Sequence, residues 1–200
     1  TYSNVATLLN YGATFAVGYL LSIYLQLVMG YTSQTAGLIL VCQPIVMAVF
    51  SPYAGRLSDR ISPHKIASLG MAICAVNLLL FAFIDEGTPI WVIFFGLMFI
   101  GLGFALFSSP NTNAVMACVD KQEYSIASSI LATMRSVGHS SSMAIVTVVI
   151  GAYMGSIGMV DATIGQLVQT MHTAFGIFTV LCLVGIPLSL SRGNKNKTGG

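Results

Sequence analysis

Of the 200 residues, 56% are apolar and only 7% are charged, and the mean hydropathy is +0.85. A soluble globular domain is roughly half apolar but about a quarter charged, so this composition excludes a chain bathed in water on all sides and predicts a membrane protein. The formal net charge of +2 is too small to suggest a nucleic-acid partner.

Chemistry-bearing clusters are equally scarce. Cys42, Cys74, Cys118 and Cys182 fall inside apolar runs without C-x-x-C or Cys/His spacing, and they read as buried or lipid-facing fillers. His139 and His172 have no Cys, Asp or Glu nearby at metal-ligand spacing, and no serine has a recognisable base, so neither a metal site, a cofactor nor an enzyme is expected. The chain opens at Thr1 without a basic n-region; no signal peptide is expected, and the sequence reads as a fragment.

Crossing the hydrocarbon takes about 20 apolar residues in a helix. Six segments qualify, approximately 4–29, 33–54, 64–84, 90–119, 124–154 and 170–190, and the expected fold class is an all-α membrane protein with six transmembrane helices. In the first, Asn4, Thr7, Tyr11, Thr14, Gly18 and Ser22 recur every three or four residues, so they share one stripe that should avoid lipid. After the second segment comes the densest polar stretch, Gly55 to Lys65, with Arg56, Asp59, Arg60 and Lys65. It reads as a membrane-surface loop in which Gly55 turns the chain and Ser62-Pro63 forms the N-cap and first position of the next helix, with Asp59 placed to face a helix N-terminus.

The third segment offers mainly Ser68 and Asn77 as polar residues, and Pro89-Ile90-Trp91 then places an aromatic anchor at the interface. In the fourth segment Gly101, Ala105, Ser108 and Thr112 lie on one side, with Asn111 and Asn113 near Pro110. The fifth carries Ser125, Ser128, Arg135, His139 and Ser142 in register, and the stretch from Gly155 to Gln169 is read as a connection with a small amphipathic turn. The sixth has mainly His172, Thr173 and Thr179. The third and sixth segments are therefore expected to be the outer, lipid-covered pair. Small and hydroxyl residues also let membrane helices pack closely; in the reading adopted, they pack while Tyr11, Thr14, Asn111, Arg135 and His139 border a wet substrate cavity.

Charge placement predicts orientation, because Lys and Arg accumulate on the cytoplasmic side of short loops. Arg56, Arg60 and Lys65, then Lys121, then Arg192, Lys195 and Lys197 share one side, whereas Asp85, Glu86 and Asp161 occupy the other. A multi-pass protein of the cell membrane with both termini cytoplasmic is expected. Arg135 is the exception, about 17 Å along its helix from Tyr124. A central arginine costs about 2.5 to 3.5 kcal/mol on insertion scales, so it should either face a cavity or snorkel to the headgroups.

Gly55, Leu57, Asp59 and Arg60 resemble the G-x-L-x-D-R signature between the second and third helices of each half of major facilitator superfamily transporters, departing from it at Ser62-Pro63-His64. Three further pieces resemble the fourteen-helix QacA/EmrB-like multidrug-efflux branch. They are Tyr24 to Tyr31 followed by Ala36-Gly37-Leu38, Gly101 to Phe104 running to Ser109-Pro110-Asn111, and Ala127-Ser128-Ser129 running to Met134-Arg135-Ser136-Val137-Gly138. The resemblance implies that residues 1–200 are a C-terminal six-helix bundle whose N-terminal partner bundle is missing. It implies alternating access, with the first and fourth helices lining the cavity and the third and sixth facing lipid. It also makes Gly55, Arg56, Asp59 and Arg60 a conformational-switch loop, and implies proton-coupled efflux of lipophilic small molecules. No acid lies inside any span, so a coupling carboxylate is not assigned here. The alternatives are a non-transporting six-helix scaffold or assembly subunit, and a half-transporter that homodimerises.

Overall fold

The computed structural model describes residues 2–117, 119–155 and 163–195. The side chains of Asn4, Arg192 and Lys195, and the whole of Cys118, Asp161 and Lys197, all used above, lie outside what is described. So does residues 156–162 of the connection expected to hold an amphipathic turn.

Among the described residues every regular element is helical, and six helical rods are long and apolar enough to cross a membrane. The first is α1 (Tyr2–Ile23), continued by a π-helical turn at Tyr24–Val28; the second is α2 (Ser33–Leu40) followed by α3 (Cys42–Arg60). The others are α4 (Pro63–Phe81), α5 (Ile90–Met116), α6 (Tyr124–Met154) and α7 (Ile164–Lys195). In hydrocarbon each backbone N–H and C=O must find a partner within the protein, which only a continuous helix provides along a single strand of chain. The stops are local. Gly30 takes φ +71°, which admits a glycine without strain, Thr32 caps α2 by accepting from the Thr35 N–H, and Pro63 opens α4 where no N–H is needed.

Two boundaries differ from the sequence reading. The second rod runs to Arg60, so Gly55, Arg56, Asp59 and Arg60 are the last turns of α3 rather than a loop, and only Ile61 and Ser62 separate α3 from α4. Gly55 therefore does not turn the chain; a Cβ there would sit 3.1 Å from Ser109 Oγ, so the residue permits close approach to α5. Ser62 occupies the N-cap position of α4 without a side-chain cap bond. The sixth rod begins at Ile164, six residues before the expected start at Thr170.

The rods pack in a curled row, α3, α5, α4, α7, α1, α6. Exchanging the first three rods for the last three reverses this order and leaves every neighbour relation intact, so the bundle contains two three-helix units related by a pseudo-twofold axis. Between membrane helices close packing, not water exclusion, holds the structure, and small residues set the distance. At the α4–α5 crossing a Cβ on Gly70 would lie 2.5 Å from the Gly103 carbonyl oxygen, and at the α1–α6 crossing one on Gly138 would lie 2.8 Å from that of Leu8. Around these contacts Tyr24, Phe81, Phe107, Phe175 and Phe178 are fully buried.

Among the described residues the expected outer pair, α4 and α7, contributes nothing to the cavity lining and lies behind it. α4 and α7 occupy the middle of the row and pack on each other, whereas α3 and α6 are its ends, and α3 is the least buried rod. Each of these central rods presents an exposed apolar face, through Leu69, Val76, Leu79 and Leu80 on α4 and Val180, Leu183 and Val184 on α7. Ser68, Asn77 and Thr179 are satisfied within their helices, donating to the carbonyls of His64, Ile73 and Phe175 at 2.8, 2.9 and 2.8 Å, whereas Ser189 Oγ on α7 is buried without a partner among the described residues.

Candidate transport cavity

Four rods surround an open cavity of about 700 Å3. α1 contributes Tyr11, Thr14, Phe15, Gly18 and Tyr19, α3 contributes Gln43, Pro44 and Met47, α5 contributes Phe104, and α6 contributes His139 and Met143. The α1 set follows from helical geometry, since Tyr11, Phe15 and Tyr19 are four residues apart and stand one above another.

Tyr11 is the corner of the site. Its ring meets Phe104 edge-on with centroids 4.7 Å apart and lies 5.8 Å from the His139 ring, while the Arg135 guanidinium carbon is 5.0 Å from its centroid. Its hydroxyl shares a 2.8 Å hydrogen bond with Ser108 Oγ on α5. One turn further along α1, Phe15 stacks on His139 at 4.2 Å and 17°. These planar groups make a wall suited to a flat, largely apolar molecule, with Thr14, Gln43 and His139 as the polar points.

Beneath the cavity, toward the end that bears Arg56, Arg60, Lys65 and Lys121, lies a polar layer. Asn111 Nδ2 donates to Thr7 Oγ1 at 2.8 Å, joining α5 to α1. Arg135 Nη2 donates to Thr112 Oγ1 at 3.3 Å, joining α6 to α5. Of the five residues expected at the cavity, Tyr11, Thr14 and His139 line it. Asn111 does not: it is buried and turned against α1, as a buried amide must be to find a partner. Arg135 lies just below, against Tyr11 and Thr112, rather than in the wall.

Phe15, Tyr19, Gln43, Pro44, Met47, Phe104 and Met143 were not anticipated. The four-residue spacing of Tyr11, Phe15 and Tyr19 was the available signal, masked because aromatic residues also face lipid. At the end of α3, Tyr53, Arg56, Leu57, Asp59 and Arg60 border a separate shallow recess, and Asn113 Nδ2 donates to Ser58 Oγ at 3.2 Å across the α3–α5 crossing. At the other end His172 Nε2 lies 2.7 Å from the Ile84 carbonyl oxygen and 3.7 Å from Asp85 Oδ1, an ion pair only when the ring is protonated. No described group of three His, Cys, Asp or Glu could hold a metal.

Six membrane-length helices in two pseudosymmetric triplets, with a cavity opening to one side, define a transporter-type bundle. The chain belongs to the Major Facilitator Superfamily, whose family model matches residues 4–198. That membership puts it among multi-pass membrane transport proteins rather than enzymes. It is 30% identical over 135 residues to the riboflavin transporter RibZ of Clostridioides difficile, covering 68% of this chain and 30% of the relative. It is 29% identical over 133 residues to the multidrug resistance protein Stp of Mycobacterium tuberculosis, covering 66% of this chain and 25% of the relative. A solved bacterial homologue of the human drug peptide transporters PepT1 and PepT2 superimposes with a TM-score of 0.79 at 21% identity, over 94% of this chain and 40% of that one. The chain thus spans about a third or less of the length of these curated relatives.

Proposed function

We propose that residues 1–200 form the C-terminal half of an alternating-access secondary transporter of the fourteen-helix QacA/EmrB-like type, which exports lipophilic drugs or metabolites in exchange for protons. The observation that carries this reading is the aromatic and methionine-lined cavity of about 700 Å3, bounded by α1, α3, α5 and α6 and open on one side. An N-terminal bundle closes that side in the proposal, and the scarcely buried α3 flanks the junction. Relatives about three to four times as long as the matched stretch leave room for such a bundle. The proton-bearing carboxylate is assigned to the N-terminal bundle, because the cavity lining here includes no Asp or Glu.

The membrane is the cell membrane and both termini are cytoplasmic, a reading supported by Arg56, Arg60, Lys65 and Lys121 at one end of the rods and Asp85 and Glu86 at the other. The last turns of α3, with Gly55, Arg56, Asp59 and Arg60, act as the conformational switch. One relative is named a riboflavin transporter and another a multidrug resistance protein, so the probes chosen are riboflavin and a lipophilic dye, ethidium. Full-length protein expressed in a strain stripped of its major efflux pumps should export at least one of them, and collapse of the proton gradient should stop it. Well-expressed protein that moves neither probe nor any of a wider lipophilic panel would favour the scaffold reading.

A further inference from the structure

Arg135 is the only Lys or Arg in the middle of a described rod, and its guanidinium is turned toward neighbouring helices rather than toward the basic end of its own. Its guanidinium is held among three helices, over the Tyr11 ring and beside Thr112. That environment satisfies it poorly. Nε is buried with no hydrogen-bond partner, and the described bond from Nη2 is long at 3.3 Å. Tyr11 offers only a ring face, and its hydroxyl is already shared with Ser108. None of the described acids is at hand: Asp59 lies in the last turn of α3, and Asp85, Glu86, Asp120 and Glu123 lie between rods.

A half-buried guanidinium whose Nε–H is buried and unmet calls for an acceptor, and its fixed fork of donors matches a carboxylate through two parallel bonds. Arg135 also lies one helical turn from His139 and in contact with Tyr11, both of which line the cavity. We propose that the Arg135 guanidinium is an anion-receiving site at the cavity floor, completed by a carboxylate. The carboxylate comes either from the transported molecule or from an acidic side chain in the polypeptide beyond these 200 residues. The inference rests on the cavity reading above, so the test reports the two separately.

The experiment uses full-length protein in nanodiscs and two probes of one shape, 2-naphthoate and neutral 2-naphthamide, with binding measured by calorimetry. Naphthamide reports the cavity; the ratio of the two affinities reports Arg135. A carboxylate supplied by the substrate predicts that naphthoate binds at least about tenfold more tightly. Arg135→Gln should remove that preference while sparing naphthamide, and Arg135→Lys should keep part of it. A carboxylate supplied by the protein predicts no preference in the wild type and a lowered melting temperature for Arg135→Glu. Combining Arg135→Glu with an Asp or Glu→Arg change at one membrane-embedded acid outside this chain should then recover that melting temperature. If naphthamide fails to bind, the cavity reading falls and the charge-swap pairs alone decide the role of Arg135. Absence of both the naphthoate preference and any rescuing pair overturns the proposal.

Discussion

Tyr11 brings together more of the site than any other side chain, and its ring and hydroxyl do different work. The hydroxyl ties α1 to Ser108 of α5 at 2.8 Å, whereas the ring supports Arg135 and packs on Phe104. Hydrogen bonds between membrane helices are worth about 0.6 kcal/mol on average and at most about 1.7. Tyr11→Phe is therefore expected to lower the stability of the purified full-length protein by about that amount, measured by thermal unfolding, and Tyr11→Ala by clearly more. The Phe15–His139 stack makes a separate prediction. An aromatic pair contributes about 0.5 to 1.5 kcal/mol beyond its buried area, so Phe15→Ala should weaken binding of a planar aromatic probe by about 2- to 12-fold. Leu79→Ala, on the exposed face of α4, should leave it unchanged. The polar stripe of α1 made Tyr11 and Thr14 legible in the sequence. Asn111 and Arg135 were less so, because polarity says which face of a helix avoids lipid but not whether a neighbouring helix or a cavity covers that face. Phe15, Tyr19 and Met143 were hidden for the converse reason: an apolar residue looks the same facing lipid or an aromatic-lined cavity.

Helix crossings depend on contacts that admit no extra atom. Gly70 meets backbone of α5 at 2.5 and 2.7 Å, and Gly138 meets backbone of α1 at 2.8 Å, measured from where a Cβ would be. Backbone cannot swing aside as a flexible side chain can, so Gly70→Ala and Gly138→Ala should each destabilise the protein by about 1 to 3 kcal/mol. Gly176→Ala has nothing within 4 Å of the added carbon and should be neutral in the same thermal unfolding series. Element number and type were legible from apolar run length, because a membrane-spanning backbone has so few ways to satisfy itself. The end of α3 was not. Gly55, Ser58 and a cluster of charges carry the composition of a soluble turn, yet near the membrane surface the helix continues to Arg60, with Ile61 N–H donating to the Leu57 carbonyl at 2.9 Å. A glycine that reads as a hinge in sequence is here a contact surface for Ser109.

Over the whole bundle, the pseudo-twofold row explains why the cavity lies where it does. α1 and α5 are equivalent under the exchange, as are α3 and α6, and these two pairs enclose it, while α4 and α7 close the back. That division was only partly visible beforehand, since low polarity marked α4 and α7 without revealing that they pack on each other. Orientation gives one prediction at this scale. In intact cells an impermeant thiol reagent should label a cysteine placed at Glu86 and spare one at Lys65; equal labelling would reverse or abolish the assigned topology. The purified 200-residue chain in liposomes should not accumulate riboflavin or ethidium, because the proposed cavity lacks its second wall, and robust uptake would point to a homodimer. The most direct test of the cavity is its wetness and occupancy in the full-length protein with native cysteines replaced by alanine. Met143→Cys should react readily with a water-soluble maleimide, more slowly when the transported probe is present, whereas Leu79→Cys should react poorly under both conditions. A Met143→Cys protein no more reactive than Leu79→Cys, or indifferent to the probe, would contradict the assignment of this cavity as the substrate path.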